Sequence, residues 1–220
     1  MADDARLTGD QLSAQLTTEG LSDWRPVLGR VVTRFKTGNF VTGLEFVTKV
    51  TEAAESANHH PDVDLRYPHV DITLMSHDVG GTTQRDIRLA RQVSDIAAGM
   101  GISADPGQCA ILEVALDTWD AGEIWPFWAA LLGADGGVDE VADPAGRLPS
   151  LWFQDAERHD ERRQRFHFDV WVPPDVARTR IDAALAAGGT LVSDEHAPSY
   201  VVLADAQGNR ACICTSASRG

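Results

Sequence analysis

His59 and His60 stand side by side, Glu55 lies one helical turn before His59, and His77 and Asp86 follow. Imidazole is the side chain that changes charge nearest neutrality, so three of them with carboxylates at hand can both give and take protons. Pro61 cannot continue a helix, which places the histidine pair at a helix C-terminus. The exposed carbonyls there carry partial negative charge and favour the imidazolium. Glu55, four residues before His59, is expected on the same helix face and acts in the same direction. Val70, Ile72 and Leu74 alternate with Asp71, Thr73 and Met75, the pattern of a half-buried strand. His77 shares the parity of Thr73 and Met75, so it is expected at the strand's far end, turned toward the helix end. This is an acid/base cleft without nucleophile or metal. A three-histidine metal site and plain helix capping are the alternatives, and two adjacent histidines rarely both turn to one ion.

The elements that must position these groups are readable. "TGDQ" from Thr8 to Gln11 is a capping-box pattern and Gly20 a stop. "VLGRVVTRFK" is rich in β-branched residues and "TGN" turns after it. From Phe40 the apolar residues Phe40, Leu44, Val47, Val50 and Ala54 recur at helical spacing, and that helix is predicted to reach Ala57 or Asn58. "DVGG" breaks the strand, and "TTQRD" opens a third helix with Ile87, Ala90, Val93 and Ala97 on its inner face. Helices and hairpins in this order predict an α+β fold, an antiparallel sheet with helices on one side.

A second domain follows. Gly99, Gly101, Pro106 and Gly107 punctuate the chain, which places the boundary within 100–107, with domains at 1–102 and 107–220. "CAILEVALDT" reads as a strand, "AGEIWPFWAALLG" as a helix ended by Gly133, and "SLWFQDA" and "RFHFDVWV" as strands. The helix "DVARTRIDAALAAGG" and a hairpin around "DAQGN" complete it. Strand, helix and strands occur twice, which suggests an internal duplication. Trp119, Trp125, Trp128, Trp152 and Trp171 crowd this half; most belong to a core, and one or two are placed to stack a flat ligand.

The totals exclude some classes. The 220 residues carry a net charge of −14, with 15 acids against 10 bases in residues 1–105 and 18 against 9 thereafter. No basic stripe exists to neutralise phosphates, which argues against direct nucleic-acid binding. No long apolar run spans a membrane, and the acidic start is unlike a signal peptide, so a cytoplasmic location is expected. Cys109, Cys212 and Cys214 form no CxxC pair and read as buried strand thiols.

Glu55, His59-His60-Pro61, Tyr67, His77 and Asp86 fall at the spacing of the pterin-4a-carbinolamine dehydratase family pattern, which residues 6–100 resemble. Leu21, Trp24, "NFVTGLEFV" and "SHDVGGTTQRDIRLA" are similar to the family as well; Ser76 and Thr82 depart from its usual Thr and Leu, and Thr82 is expected to loosen local packing. The resemblance implies a hydro-lyase that removes water from a 4a-hydroxytetrahydropterin to give a quinonoid dihydropterin, with no cofactor. It implies that His59 and His77 are the acid/base groups and that His60 holds the pterin. Asn58, Ser76 and Asp78 would contact the pterin's polar edge, and Glu55 and Asp86 would orient the histidines. Homodimers or tetramers are implied too. "ALDTWDAGEIWPFWAALLG", "RFHFDVWV" and "ADAQGNRACIC" resemble the glyoxalase-like, vicinal-oxygen-chelate superfamily over residues 108–216, implying paired βαβββ modules. Its metal members take one ligand from each of four strands, matched here by Glu113, Gln154, His167 and Cys212; Glu113 and Cys212 depart from the usual types, and no metal is expected. The rival readings make the second domain the main activity, as a metal-dependent lyase or dioxygenase, or make the chain a ligand-binding or assembly module.

Overall fold

The computed structural model describes residues 5–132, 134–158, 166–204 and 210–218. Contacts divide the chain into two units, Met1–Ala110 with Val172–Ala177 and Thr215–Gly220, and Ile111–Trp171 with Arg178–Cys214. No helix among the described residues is long and apolar enough to cross a membrane.

In the first unit, α1 (Gly9–Thr18) begins at the expected capping box: the Thr8 hydroxyl accepts from the Gln11 N–H, and the Gln11 side chain accepts from the Thr8 N–H. The strands β1 (Arg25–Val27) and β2 (Arg30–Lys36) form a hairpin, followed by α2 (Phe40–Ala57), β3 (Asp62–Arg66), β4 (His69–Leu74), α3 (Gln84–Gly99) and β5 (Ser103–Ala104). The sheet runs β1-β2-β4-β3 with β5 on β2, every pair antiparallel. Val70, Ile72 and Leu74 of β4 join Val31 and Phe35 of β2 in one core with Leu12 and Leu16 of α1, Phe46, Val50 and Ala54 of α2, and Ile87, Ala90, Val93 and Ala97 of α3. The helices therefore cover one face, as alternation in the strands requires. The opposite face mixes charged residues with the buried Val27 and Val32, and there Arg34 is forked onto Asp71 at 2.6 Å.

The buried stripe of α2 differs from the predicted one. It runs Gly43, Phe46, Val50, Ala54, while Phe40 and Leu44 are 52% and 54% exposed. Gly43 explains the rotation: a Cβ there would stand 2.6 Å from Leu65 Cδ1 and 3.3 Å from Thr37 Oγ1. The helix seats its bare backbone against the sheet, and Phe46 then meets Phe35 edge-on at 5.0 Å. The departure at Thr82 is not loose either. Its hydroxyl donates to the Gly29 carbonyl at 2.8 Å, and the side chain is wholly buried.

The second unit contains β6 (Ile111–Thr118), α4 (Ala121–Leu132), β7 (Asp135–Gly136), β8 (Glu140–Ala142), β9 (Leu151–Asp155), β10 (Phe166–Trp171), α5 (Pro174–Ala186) from Arg178 onward, β11 (Thr190–Ser193), β12 (Tyr200–Ala204) and β13 (Arg210–Cys214). The sheet order is β11-β12-β13-β10-β6-β9-β8-β7. Each half is a βαβββ module whose first strand lies parallel to its last, β6 to β9 and β10 to β13, and β6 and β10 meet antiparallel at the centre. The duplication suggested by the sequence is thus a repeat of topology. The strands β7, β8 and β11 are too short to show a periodicity of their own. The predicted Gly133 stop and the 205–209 turn lie outside the described residues. Val114, Leu116, Leu151 and Phe153 pack against Ile124, Trp125 and Trp128 of α4, so Glu113, Ala115, Asp117, Trp152 and Gln154 lie on the opposite face.

Candidate functional site

The helix α2 ends at Ala57, just before the histidine pair. Asn58 takes the left-handed conformation at φ 47°, and its N–H donates to the carbonyls of Ala54 and Glu55. Asparagine tolerates that conformation because its short polar side chain bonds locally. The reversal carries His59 off the helical path, and its ring turns inward. Nε2 sits 2.7 Å from Asp86 Oδ1, and the residue is 8% exposed.

Asp86 is wholly buried at the third position of α3. Its Oδ2 accepts from the Thr83 N–H at 2.7 Å and the Ser76 hydroxyl at 2.8 Å, and the Thr83 hydroxyl stands 2.8 Å from Ser76 Oγ. The helix cap and the histidine support are one structure, since Thr83 and Asp86 form the capping box of α3. With every other partner of Asp86 a donor, the network assigns the ring hydrogen of His59 to Nε2, which leaves Nδ1 as the second ring nitrogen.

The other expected groups separate. Glu55 does not pair with His59, because the left-handed turn breaks the four-residue helical relation; it holds His60 Nε2 at 3.1 Å on the surface instead. Ser76, expected at the substrate's edge, is buried and committed to Asp86 and Thr83. The strand β4 ends at Leu74, so His77 is not its last residue: it lies exposed in the turn that the Ser76–Gly81 bridge closes. Asp78 is salt-bridged to Arg85 at 2.7 Å, and that hydrogen bond holds its carboxyl below the usual range. Asn58 is exposed. Sequence reasoning missed Thr83 as part of the site; its signal was the Thr83-x-x-Asp86 spacing.

The second unit gathers a different set. Alternation along β10 puts His167, Asp169 and Trp171 on the face opposite α4, and the register places Cys212 of β13 and Glu113 of β6 on either side of Asp169. Ligand-type atoms of His167, Asp169 and Cys212 lie within 4.8 Å of one another. His167 Nε2 is 3.7 Å from Asp169 Oδ1, and its Nδ1 is 3.7 Å from Asp117 Oδ1. Glu113 is drawn away: it accepts from Trp171 Nε1 at 2.5 Å and Ser150 Oγ at 3.0 Å, and burial raises its pKa. The Trp152 ring meets His167 edge-on at 5.9 Å. Asp169 and Asp117 were missed, although the period of two in "RFHFDVWV" and "ILEVALDT" marks both positions.

Residues 5–96 match the family model described as pterin 4 alpha carbinolamine dehydratase, and residues 113–214 match that of a glyoxalase-like domain. A protein of Picosynechococcus sp. named "Putative pterin-4-alpha-carbinolamine dehydratase" is 42% identical over 85 residues, 39% of this chain and 90% of that protein. One of the same name from Chloroflexus aurantiacus is 38% identical over 91 residues, 41% of this chain and 96% of that protein. A crystal structure of a transcriptional coactivator/pterin dehydratase from Brucella melitensis shares 33% identity, covering 42% of this chain and 99% of that one with a TM-score of 0.40.

Proposed function

The chain belongs to the pterin-4a-carbinolamine dehydratase family through its first unit, and from that premise we propose that this unit removes water from a 4a-hydroxytetrahydropterin to give a quinonoid dihydropterin. The carrying observation is the buried His59–Asp86 contact at 2.7 Å. Breaking the C4a–OH bond requires a proton on the departing hydroxyl, and forming the C=N bond requires removal of the ring-nitrogen proton. His59, its Nε2 hydrogen held by Asp86, presents Nδ1 as the acceptor of the ring-nitrogen proton. His77, exposed in the turn, delivers a proton to the hydroxyl, which leaves as water. The two transfers balance, so the enzyme returns to its starting state through exchange with solvent.

His60, steadied by Glu55, binds the pterin, with Asn58 and Asp78 at its polar edge. Ser76 acts through Asp86 rather than by touching the substrate. Phe40, Val41 and Leu44 are large apolar residues exposed on α2, and they fit a contact between copies in a homodimer or tetramer. Stopped-flow absorbance on 4a-hydroxytetrahydropterin with the full chain tests the reading. H59A or H77A is expected to lower the rate by about 10²-fold or more, the usual worth of a positioned acid or base. A double H60A/H77A variant with the parent rate would sink the site.

A further inference from the structure

On the premise of the dehydration proposed above, we infer that Arg6 is a positioning residue for that reaction: its stem braces the turn that carries His77. The turn closes weakly on its own. The Ser76 N–H reaches the Gly81 carbonyl at 3.0 Å, but the Val79 and Gly81 N–H groups reach the Ser76 carbonyl, and the Gly80 N–H the His77 carbonyl, only at 3.2–3.4 Å. Such lengths lie at the weak end of the hydrogen-bond range. A proton donor on this turn must nevertheless meet the departing hydroxyl within hydrogen-bond reach.

Arg6 is fixed by the residues that follow it. The Leu7 N–H donates to the Thr82 carbonyl at 2.8 Å, the Leu7 side chain packs on the core, and Thr8 caps α1. From that anchor the Arg6 side chain crosses the turn. A Cβ on Gly81 would stand 2.6 Å from Arg6 Nε, 2.8 Å from Cδ and 2.9 Å from Cγ, so the stem lies flat on a bare glycine. Its far end meets the β1–β2 turn: Nη2 would be 3.5 Å from a Cβ on Gly29, whose carbonyl Thr82 holds through both its N–H and its hydroxyl. Ser76 and Gly81 exchange both backbone hydrogen bonds, and partners in such a bridge present their side chains to one face. Arg6 therefore covers the face on which Ser76 reaches Asp86 and, through it, His59. Arg6 forms no ion pair among the described residues, so the contact is one of apolar stem on backbone rather than of charge on charge.

In stopped-flow assays of the full chain on 4a-hydroxytetrahydropterin, R6A is expected to lower kcat by about 10–10²-fold at unchanged KM, the cost of a reacting group displaced by about an ångström. R6M, which keeps a stem without the charge, and R6K should recover most of that loss. G81A drives a methyl into the stem and should act like R6A. The double variant R6A/G81A should be no slower than either single one, because both remove the same contact. Hydrogen exchange supplies a readout independent of turnover: R6A should speed exchange of the Ser76 and Gly81 amides about 10-fold and leave those of β4 unchanged. A parent chain without turnover, in which R6A still loosens the turn, would refute the dehydration and support the brace. Parent kcat and parent exchange in R6A would overturn the brace, as would additive losses in R6A/G81A or an R6M as slow as R6A. A raised KM at parent kcat would also overturn it, as the mark of a direct substrate contact.

Discussion

Replacing Asp86 tests how the first unit works. The carboxylate is wholly buried and accepts from His59 Nε2, the Ser76 hydroxyl and the Thr83 N–H at 2.7–2.8 Å. Alanine would orphan all three donors at about 1–3 kcal/mol each, comparable with a total stability of about 5–15 kcal/mol, so D86A is expected to unfold rather than inform. Asparagine keeps the volume. Its amide oxygen can still cap Thr83 and receive Ser76, but its NH₂ then faces His59 Nε2, donor against donor. The imidazole must move its hydrogen to Nδ1, which can no longer accept a proton. D86N is therefore expected to cost about 1–3 kcal/mol in urea unfolding. Its kcat for dehydration should fall about 10²–10⁴-fold, while KM changes little because His60 is untouched. A folded D86N with kcat within a few-fold of the parent would refute the role given to Nδ1.

Other consequences are open to measurement. Thr82 gives the Gly29 carbonyl a second donor, since the Thr82 N–H also reaches it at 3.2 Å; T82V should lose about 0.5–1.5 kcal/mol in urea unfolding, and a loss above about 3 would mean the hydroxyl does more than this bond. G43A regains about 1 kcal/mol of helix propensity but overpacks against Leu65 and Thr37 at about 1–3 kcal/mol, so its urea midpoint should drop, and a raised midpoint would contradict the close-approach argument. Burial, aided by the charge of Asp71, pushes the Cys109 thiol up to about 12 from an ordinary 9.0. Its thiolate fraction at pH 8 is thus about 10³-fold lower than in the unfolded chain, and alkylation should slow in proportion; equal rates in both states would exclude the burial. Because the folded pKa is the higher one, this thiol leaves stability level below pH 9.0 and lowers it as pH climbs toward about 12.

Much of this was readable in one dimension because the determinants are local. The Thr8–Gln11 cap, the alternation of Val70, Ile72 and Leu74, the end of α2 at Ala57 and the inner face of α3 each depend on residues within a few positions of one another. The spacing from Glu55 to Asp86 was enough to indicate the family, since residues on one helix end, one turn and one helix start keep their intervals.

What the sequence could not determine was which of these groups meet. Four residues of separation placed Glu55 beside His59; the left-handed Asn58 instead sent Glu55 to His60 and His59 to an aspartate 27 positions away. Which face of α2 is buried turned on a glycine's approach to Leu65, invisible to periodicity. The row Cys212–Asp169–Glu113 exists only because β13, β10 and β6 are neighbours in the sheet, and strand order and register are set by the packing of whole modules. Local preference decides which elements form, and burial of their apolar faces against one another decides which polar groups are left in contact.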